Sequence, residues 1–327
     1  MKFKVFITDY VTVPKIEKTI FGDNFDITCL NEENEKKFPK SIEDADAILV
    51  WHAKLTKYTF KKLRKCKIIV KYGTGYDNVN VDECSLYNIP FSNTPDYGVD
   101  EVADSTCALI LNSIRQIKLY DNMSKVPNLK WQRHSNFEIK RTNEHKLGII
   151  GCGRIGTSVS IKMKSFGIDI AFYDPYKPSG YEKSFGIKRF DSLEELFSFS
   201  SIISLHTPLD SATNSLINKN NIIKFNKGTI LINTARGRIV DSLDTLLFGL
   251  EQDYLSFIGL DVLPEEPPNT KEKLIKLWKN PSVFSDRIII NPHSAYYSKT
   301  SWIEMRQKAS LNIKDFLIDS KIKNRIN

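Results

Sequence analysis

Three residues with complementary chemistry follow predicted strands in the second half of the sequence: Arg236, Glu266 and His293. A guanidinium can grip a carboxylate with two parallel hydrogen bonds and polarise an adjacent ketone. A histidine can give its proton to a developing alkoxide and take it back in the reverse direction. A carboxylate behind the ring fixes its orientation and raises its pKa. These residue types together suit hydride transfer at a 2-oxo acid.

Each of these residues also has a simpler interpretation. Arg236 could be a surface cation, His293 a core histidine with satisfied hydrogen bonds, and Glu266 an ordinary loop acid. The sequence leaves these alternatives open for any one residue. Their shared position, after successive strands of one predicted sheet, favours the catalytic interpretation, because ligands bind beyond the carboxyl ends of such strands.

The segment that must position these residues is 145–176, where the sequence predicts a strand, a tight turn, a helix and a second strand that ends at an acid. Gly151, Gly153 and Gly156 match G-x-G-x-x-G. The first glycine permits a sharp turn, the second lets the backbone approach a pyrophosphate, and the third lets the helix pack closely. Asp174 lies 18 residues after Gly156, where a carboxylate can bind ribose hydroxyls and would repel a 2′-phosphate. The pattern predicts NAD rather than NADP, although a glycine turn that serves packing alone remains an alternative.

The rest of the chain alternates short apolar runs with helical patterns, which is typical of α/β proteins. Strands are predicted at residues 4–8, 47–50, 67–70, 201–205, 229–233, 257–260 and 287–290, and helices at 57–65, at 101–117 and from 300 onward. We expect two Rossmann-like domains with doubly wound parallel sheets. The substrate-binding domain would comprise residues 1–98 plus 295–327, completed by the C-terminal helix, and the NAD-binding domain residues 99–294. The polar segment 123–144 could be an arm that reaches a partner subunit.

Two loops of the first domain follow predicted strands, at residues 51–53 and 71–77. Gly73 and Gly75 could expose consecutive backbone amides, which would form a carboxylate-binding nest. A glycine-containing turn without a ligand is an equal alternative from the local sequence.

Composition excludes several other classes of protein. The 327 residues suit two domains, and 41% hydrophobic with 26% charged residues is ordinary globular composition. No apolar run approaches the roughly 18 residues of a membrane span, and the N-terminus lacks a signal-peptide pattern, so we expect a cytoplasmic protein. The net charge of +8 is spread along the chain, and no motif indicates nucleic-acid binding.

The five cysteines are scattered and contain no C-x-x-C pair. They predict neither a disulfide framework nor a metal site. Cys152 lies at a helix N-terminus, which could lower the pKa of its thiol. A packing role is the alternative that we favour.

The motifs together resemble the D-isomer-specific 2-hydroxyacid dehydrogenase family. The resemblance rests on KYGTGYDNVN, DEVADST, GIIGCGRIG, FYDPY, LHTPL, NTARGRIVD, GLDVLPEEP and NPHSAYYS, which occur in the family order between about residues 45 and 310. It implies catalytic roles for Arg236, Glu266 and His293. The implied NAD contacts, beyond the three glycines of the turn, are Arg154, Ile155, Asp174, His206, Thr207, Pro208, Thr234, Ala235, Asp261 and Thr106. The implied substrate contacts are Tyr72, Gly73, Thr74, Gly75, Arg236, His52 and Tyr296.

Within that family, FYDPY, the Trp51–His52 pair and the residues after His293 look most like the C-terminal-binding-protein branch, near phosphoglycerate dehydrogenase. One departure is Tyr296, which replaces a tryptophan of that branch, so the substrate preference of the branch is not transferred. We expect an NAD-dependent enzyme that interconverts a small 2-oxo acid and its D-2-hydroxy acid as a homodimer. The rival hypothesis is an NAD(H)-sensing assembly or corepressor-like protein in which turnover is incidental.

Overall fold

The computed structural model describes residues 2–128, 131, 139–282 and 284–327. The strands in chain order are β1 Phe3–Ile7, β2 Phe25–Cys29, β3 Ala47–Val50, β4 Ile68–Lys71, β5 Phe91–Ser92, β6 Lys146–Ile150, β7 Asp169–Tyr173, β8 Lys188–Arg189, β9 Ile202–Leu205, β10 Thr229–Asn233, β11 Leu255–Leu260 and β12 Ile288–Ile290. The helices are α1 Lys15–Phe21, α2 Lys57–Phe60, α3 Val81–Leu86, α4 Val99–Arg115, α5 Ile117–Ser124, α6 Arg154–Lys164, α7 Leu193–Phe199, α8 Lys219–Ile222, α9 Leu243–Glu251, α10 Lys273–Lys279 and α11 Lys299–Asp319.

The chain forms two compact units. The first unit comprises Met1–Gly98 and Tyr297–Asn327, and the second comprises Val99–Tyr296. The first unit contains a parallel sheet in the order β2-β1-β3-β4-β5. Helix α11 packs against α1 and β4, so the C-terminal helix completes the N-terminal domain as the fold prediction expected.

The second unit contains a parallel sheet in the order β12-β11-β10-β9-β6-β7-β8. Its two faces are covered by separate apolar clusters. One contains Ile110 of α4 and Met163 of α6, and the other contains Leu196 of α7 and Leu250 of α9. Since their apolar side chains point to both faces, the strands appear in the sequence as continuous apolar runs. The predicted doubly wound α/β fold is confirmed.

Several predicted boundaries differ from the structure. The helix predicted at residues 57–65 ends at Phe60, the last buried residue before a run that includes Lys61, Lys62 and Arg64. The helix predicted at 101–117 is α4, which Gln116 ends in a left-handed conformation with φ of 51° before α5 begins.

The polar segment predicted as an arm, residues 123–144, begins inside α5. Positions 129–130 and 132–138 of that segment lie outside the described residues. Strands β2, β5 and β8 were not predicted. β5 and β8 are two residues long, and β2 lies at a sheet edge and alternates with exposed residues, so none shows a long apolar run.

Candidate active site

A glycine-rich turn joins β6 to α6 in the second unit. Gly151 has φ of +90°, and a Cβ there would lie 2.8 Å from the main chain of His206. A Cβ on Gly156 would lie 2.2 Å from the carbonyl oxygen of Gly151. The first glycine therefore permits a left-handed turn against the next strand, and the third permits close packing of the helix on the turn.

Gly153 has a different environment. A Cβ built on it meets nothing within 4 Å among the described atoms. It precedes α6, whose N-terminus has no side-chain cap. Since the first amides of a helix lack intrahelical partners, those of Arg154 and Ile155 remain available to an anion, with the positive end of the helix dipole behind them. This end of the helix fits a pyrophosphate.

Asp174 follows β7 and is almost fully buried. Its Oδ2 accepts a hydrogen bond from the amide of Cys152 at 2.9 Å, and its Oδ1 accepts one from the amide of Tyr176 at 2.9 Å. Each carboxylate oxygen has a second lone pair, so the acid can hold the turn and still accept from ribose hydroxyls. Burial raises the pKa of the Cys152 thiol to about 11, which overturns the possibility of a lowered pKa and supports the packing role.

The loop after β9 adds polar groups to the same edge. The buried Oγ1 of Thr207 has no hydrogen-bond partner among the described residues, which is rare and indicates a position that a ligand can fill. Nε2 of His206 lies 2.8 Å from Oγ of Ser204. Burial lowers the pKa of His206 to about 3, so this ring is neutral near pH 7. Pro208, which follows, is exposed.

The middle of α4 contacts the end of β10 through two buried hydroxyl groups. Oγ1 of Thr106 lies 2.8 Å from Oγ1 of Thr234. The amide of Ala235 donates to Oδ1 of Asn233 at 3.0 Å. Most of the residues predicted at the cofactor therefore lie at or near the ends of adjacent strands. The open space beside Gly153 and the unpaired Thr207 hydroxyl both fit NAD.

His293 and Glu266 form a direct pair in the second unit. Nδ1 of His293 lies 2.7 Å from Oε2 of Glu266, while Oε1 of Glu266 accepts from the amide of Leu263 at 2.8 Å. Burial alone would raise the pKa of Glu266, but the hydrogen bond and charge of His293, the Leu263 amide and the charge of Arg236 lower it below its usual value. The carboxylate is therefore charged at neutral pH, and because it binds Nδ1, Nε2 is the ring nitrogen that this bond does not use.

Arg236 follows β10 and belongs to the same edge. Its Nη1 donates to the carbonyl oxygen of Ala235 at 2.7 Å. A Cβ on the next residue, Gly237, would lie 1.9 Å from the carbonyl carbon of Leu263. Glycine is required at this position because the main chain that leads to Glu266 passes directly against it. The charge of Arg236 therefore acts on Glu266, and Glu266 in turn bonds the imidazole of His293.

Asp261 holds the segment that contains His293. Its side chain is 2% exposed, and its two oxygens accept from the amides of Ser294 at 2.9 Å and Ala295 at 3.0 Å. Its carbonyl oxygen accepts from the amide of His293 at 2.8 Å. His293 has φ of 53°, a strained conformation that these bonds maintain. The sequence predicted Asp261 only as a cofactor contact and missed this role.

The glycine loop of the first unit differs from its prediction. The amide of Gly73 donates to Oγ1 of Thr94 at 2.7 Å and is not available to a ligand, so the expected nest of Gly73 and Gly75 is wrong in that detail. The amides of Thr74 and Gly75 have no acceptor among the residues that the structure describes. A carboxylate could therefore bind to those two amides.

Tyr72, predicted as a substrate contact, has a buried side chain. Its hydroxyl donates to Oε1 of Glu17 at 2.9 Å, and Glu17 also pairs with Arg306. Burial and the charge of Glu17 hold the pKa of Tyr72 well above its usual value. The phenol therefore supports the loop from inside the unit and does not face a ligand.

The first unit places His52 half exposed after β3, in a loop whose amides bind Asp9. Tyr296, the last residue of the second unit, is half-buried. Sequence reasoning missed Asp9, Glu17 and Asp261 as supporting residues. The available signal for Asp9 was an acid directly after a strand, as in ITDY, which was used for Asp174 and Asp261 but not for Asp9.

None of the helices in the described ranges combines the length and the hydropathy that crossing a bilayer requires.

The doubly wound sheet, the glycine turn and the strand-end residues define an NAD-binding oxidoreductase. The family model for the NAD-binding domain of D-isomer specific 2-hydroxyacid dehydrogenases matches residues 107–295. The chain belongs to this family, and NAD is its cofactor.

Individual relatives agree with that assignment. C-terminal-binding protein 1 of Caenorhabditis elegans is 30% identical over 291 residues, which are 88% of this chain and 39% of that protein. The chain thus spans less than half the length of that relative. Glyoxylate reductase of Korarchaeum cryptofilum is 28% identical over 318 residues, 96% of this chain and 92% of that protein. A crystal structure of D-lactate dehydrogenase from Aquifex aeolicus, complexed with NAD and lactic acid, has a TM-score of 0.86 and 29% identity and covers 96% of this chain and 95% of its own.

Proposed function

We propose that the protein is an NAD-dependent dehydrogenase that interconverts a small 2-oxo acid and its D-2-hydroxy acid. The observation on which this proposal depends is the 2.7 Å bond between Nδ1 of His293 and Oε2 of Glu266. The bond fixes the tautomer and orientation of the ring and uses Nδ1, so Nε2 is the nitrogen that exchanges a proton with the substrate, as a general acid and base requires.

Each residue has a defined task in the reduction of the 2-oxo acid. Arg236 binds the substrate carboxylate and polarises the keto oxygen. NAD, when bound in reduced form, supplies the hydride to the substrate. Nε2 of His293 gives its proton to the developing alkoxide, and Glu266 stabilises the ring while it is charged. In the oxidation direction the neutral ring takes the proton back.

His293→Ala tests this proposal. We expect the variant to lose roughly 10²- to 10⁴-fold in kcat/KM for every 2-oxo acid in a panel, because proton transfer is lost. Binding of NADH, measured by fluorescence titration, should be unchanged. A matched control is His145→Ala, since His145 is half-buried at the start of β6 and bonds Ser201. Normal turnover by the His293 variant would remove the imidazole from the mechanism.

The second candidate function is NAD(H)-dependent assembly, which the likeness to C-terminal-binding protein 1 favours. Light scattering on the same samples separates the two. We propose a homodimer, which would have twice the 37.5 kDa mass of the chain with and without NADH. An increase in mass driven by NADH, without oxidation of NADH by any 2-oxo acid, would favour the assembly function.

A further inference from the structure

One buried side chain closes the turn that contains Arg236. Asn233 is the last residue of β10 and is 1% exposed. Its Oδ1 accepts from the amide of Ala235 at 3.0 Å, and its Nδ2 donates to the carbonyl oxygen of Arg236 at 2.9 Å. The two bonds use the acceptor and the donor of one planar amide group, and only one orientation of that group satisfies both partners. The side chain therefore fixes the main chain of the turn.

The same turn directs the guanidinium of Arg236. Nη1 of Arg236 donates to the carbonyl oxygen of Ala235 at 2.7 Å. That carbonyl group belongs to the peptide that joins Ala235 to Arg236, and Asn233 bonds the residues on both sides of this peptide. Because a peptide group is planar, the main chain that Asn233 holds sets the direction of the carbonyl group. Asn233 therefore restricts the direction of the guanidinium through the main chain.

Asn233 is itself held by the sheet of the second unit. β10 lies between β9 and β11, where Asn233 is in register with Leu205 and Leu260. Its carbonyl oxygen accepts from the amide of Asp261 at 2.9 Å, and Asp261 holds the segment that contains His293. One residue within the sheet thus connects to the turn of Arg236 and, through Asp261, to the segment of His293.

A second contact holds the turn independently of the Asn233 side chain. The hydroxyl groups of Thr234 and Thr106 of α4 lie 2.8 Å apart. Loss of the Asn233 side chain should therefore leave Thr234, a predicted cofactor contact, in place. The main chain of Ala235 and Arg236 would lose both of its bonds to Asn233. The effect on the arginine can therefore be measured apart from the effect on cofactor binding.

We propose that Asn233 is a positioning residue, which holds the turn in the conformation that directs the guanidinium of Arg236 toward the substrate carboxylate. Asn233 acts on main-chain groups, and all of the residues that take part belong to the second unit. The inference rests on the proposed function, because it concerns how Arg236 acts in that reaction.

Asn233→Ala tests this inference with the 2-oxo acid that the wild-type protein reduces fastest. The substitution leaves the Ala235 amide and the Arg236 carbonyl group without their partner, so the turn can relax. We expect KM for the acid to rise about tenfold and kcat/KM to fall about 10- to 100-fold, while NADH affinity stays within about threefold. A partly unfolded sample loses active sites, which lowers kcat but leaves KM unchanged. The rise in KM therefore separates positioning from a general loss of structure.

A double-variant cycle tests whether Asn233 acts through Arg236. In the Arg236→Ala background, Asn233→Ala should change kcat/KM by less than about twofold, because the guanidinium that Asn233 positions is absent. Losses that multiply in the double variant would overturn the inference. An unchanged KM in an active Asn233→Ala protein would also overturn it.

Asn233→Asp provides a second variant if Asn233→Ala fails to fold. An aspartate has the same size and keeps an acceptor for the Ala235 amide, but it presents a second acceptor to the carbonyl oxygen of Arg236 in place of a donor. KM should rise at least as much as in the alanine variant. A wild-type KM in this variant would overturn the inference.

Asn226→Ala is the matched control, because Asn226 lies before the opposite end of β10. Its Nδ2 donates to the carbonyl oxygens of Ser198 and Ser200 at 2.9 Å each. This variant should leave KM unchanged. An equal rise in KM would mean that general loosening of the strand, and not the turn, weakens substrate binding, and it would overturn this inference alone. A wild-type protein that reduces no 2-oxo acid in the panel would overturn the proposed function and this inference with it.

Discussion

The pair of Glu266 and His293 shows how one hydrogen bond can define a chemical role. The lowered pKa of Glu266 means that the carboxylate titrates below its usual range. It is therefore charged near neutral pH. Its contribution to the stability of the folded protein is lost only as the pH falls through that lowered pKa. A change in rate near neutral pH does not come from protonation of Glu266.

Glu266→Gln should lower kcat/KM for the reduction of a 2-oxo acid by about 10- to 100-fold. An amide has no charge to stabilise the protonated ring, and its bond to Nδ1 is weaker than that of a carboxylate. The measurement is kcat/KM with a single 2-oxo acid near neutral pH, together with NADH binding by fluorescence titration, which should be unchanged.

The adjacent acid provides the control for that variant. Glu265 is exposed, and its side chain is not the partner of His293, which bonds Glu266. Glu265→Gln should leave kcat/KM unchanged. Equal losses in the two variants would mean that general negative charge, and not the direct bond, supports the reaction.

At the scale of elements, two glycines at the junction of β6 and α6 have different constraints. Gly156 packs against Gly151 with no room for a side chain, whereas Gly153 faces open space. The first constraint concerns folding, and the second concerns ligand binding. A comparison of the two positions therefore separates stability from cofactor affinity within one short segment.

Gly153→Ala should mainly weaken NADH binding, whereas Gly156→Ala should mainly lower the free energy of unfolding. In Gly153→Ala we expect a change in the free energy of unfolding of less than about 1 kcal/mol, because the φ of −74° suits alanine, but at least tenfold weaker NADH binding. Gly156→Ala should destabilise the second unit by about 1 to 3 kcal/mol, since the new methyl group overpacks the turn. Urea unfolding and NADH fluorescence titration measure the two effects. Unaltered NADH affinity in Gly153→Ala would place the pyrophosphate elsewhere.

At the scale of the whole molecule, the two ends of the chain meet in a buried network of the first unit. Nε of Arg306 in α11 donates to Oε1 of Glu17 in α1 at 2.7 Å, and the hydroxyl of Tyr72 donates to the same oxygen at 2.9 Å. Arg306 is 4% exposed and Glu17 is fully buried. The network therefore ties the C-terminal helix to the strand end that precedes the loop of Gly73.

Arg306→Ala should be strongly destabilising, by roughly 3 to 5 kcal/mol, because it leaves the carboxylate of Glu17 buried without its partner. Urea unfolding followed by tryptophan fluorescence measures this effect. Lys308→Ala on the same helix is the control. Lys308 pairs with Asp96 and Glu304 near the surface, where an ion pair contributes at most about 1 kcal/mol. Equal losses in both variants would contradict the special role of the buried pair.

The sequence by itself determined the class of fold and the positions of the chemical groups. Strands such as β3 and β10 are buried on both faces and therefore appear as apolar runs in the sequence. No other residue type fits at Gly151, where the turn needs a positive φ, or at Gly156, where the helix packs closely. Polar residues after such strands had to lie on one edge of a parallel sheet. Arg236, Glu266 and His293 could be selected on that basis.

The tertiary structure alone decided which groups hold the others in place. Asp9 binds a loop more than 40 residues away, Glu17 pairs with Arg306 across the length of the chain, and Thr94 takes the amide of Gly73. The sequence contains no periodic or local signal for such bonds, because hydrogen bonds depend on distances and angles that arise only when separate strands are assembled. The pattern of apolar residues along a strand indicates which side chains are buried. It does not indicate which group forms the hydrogen bond with each buried polar atom.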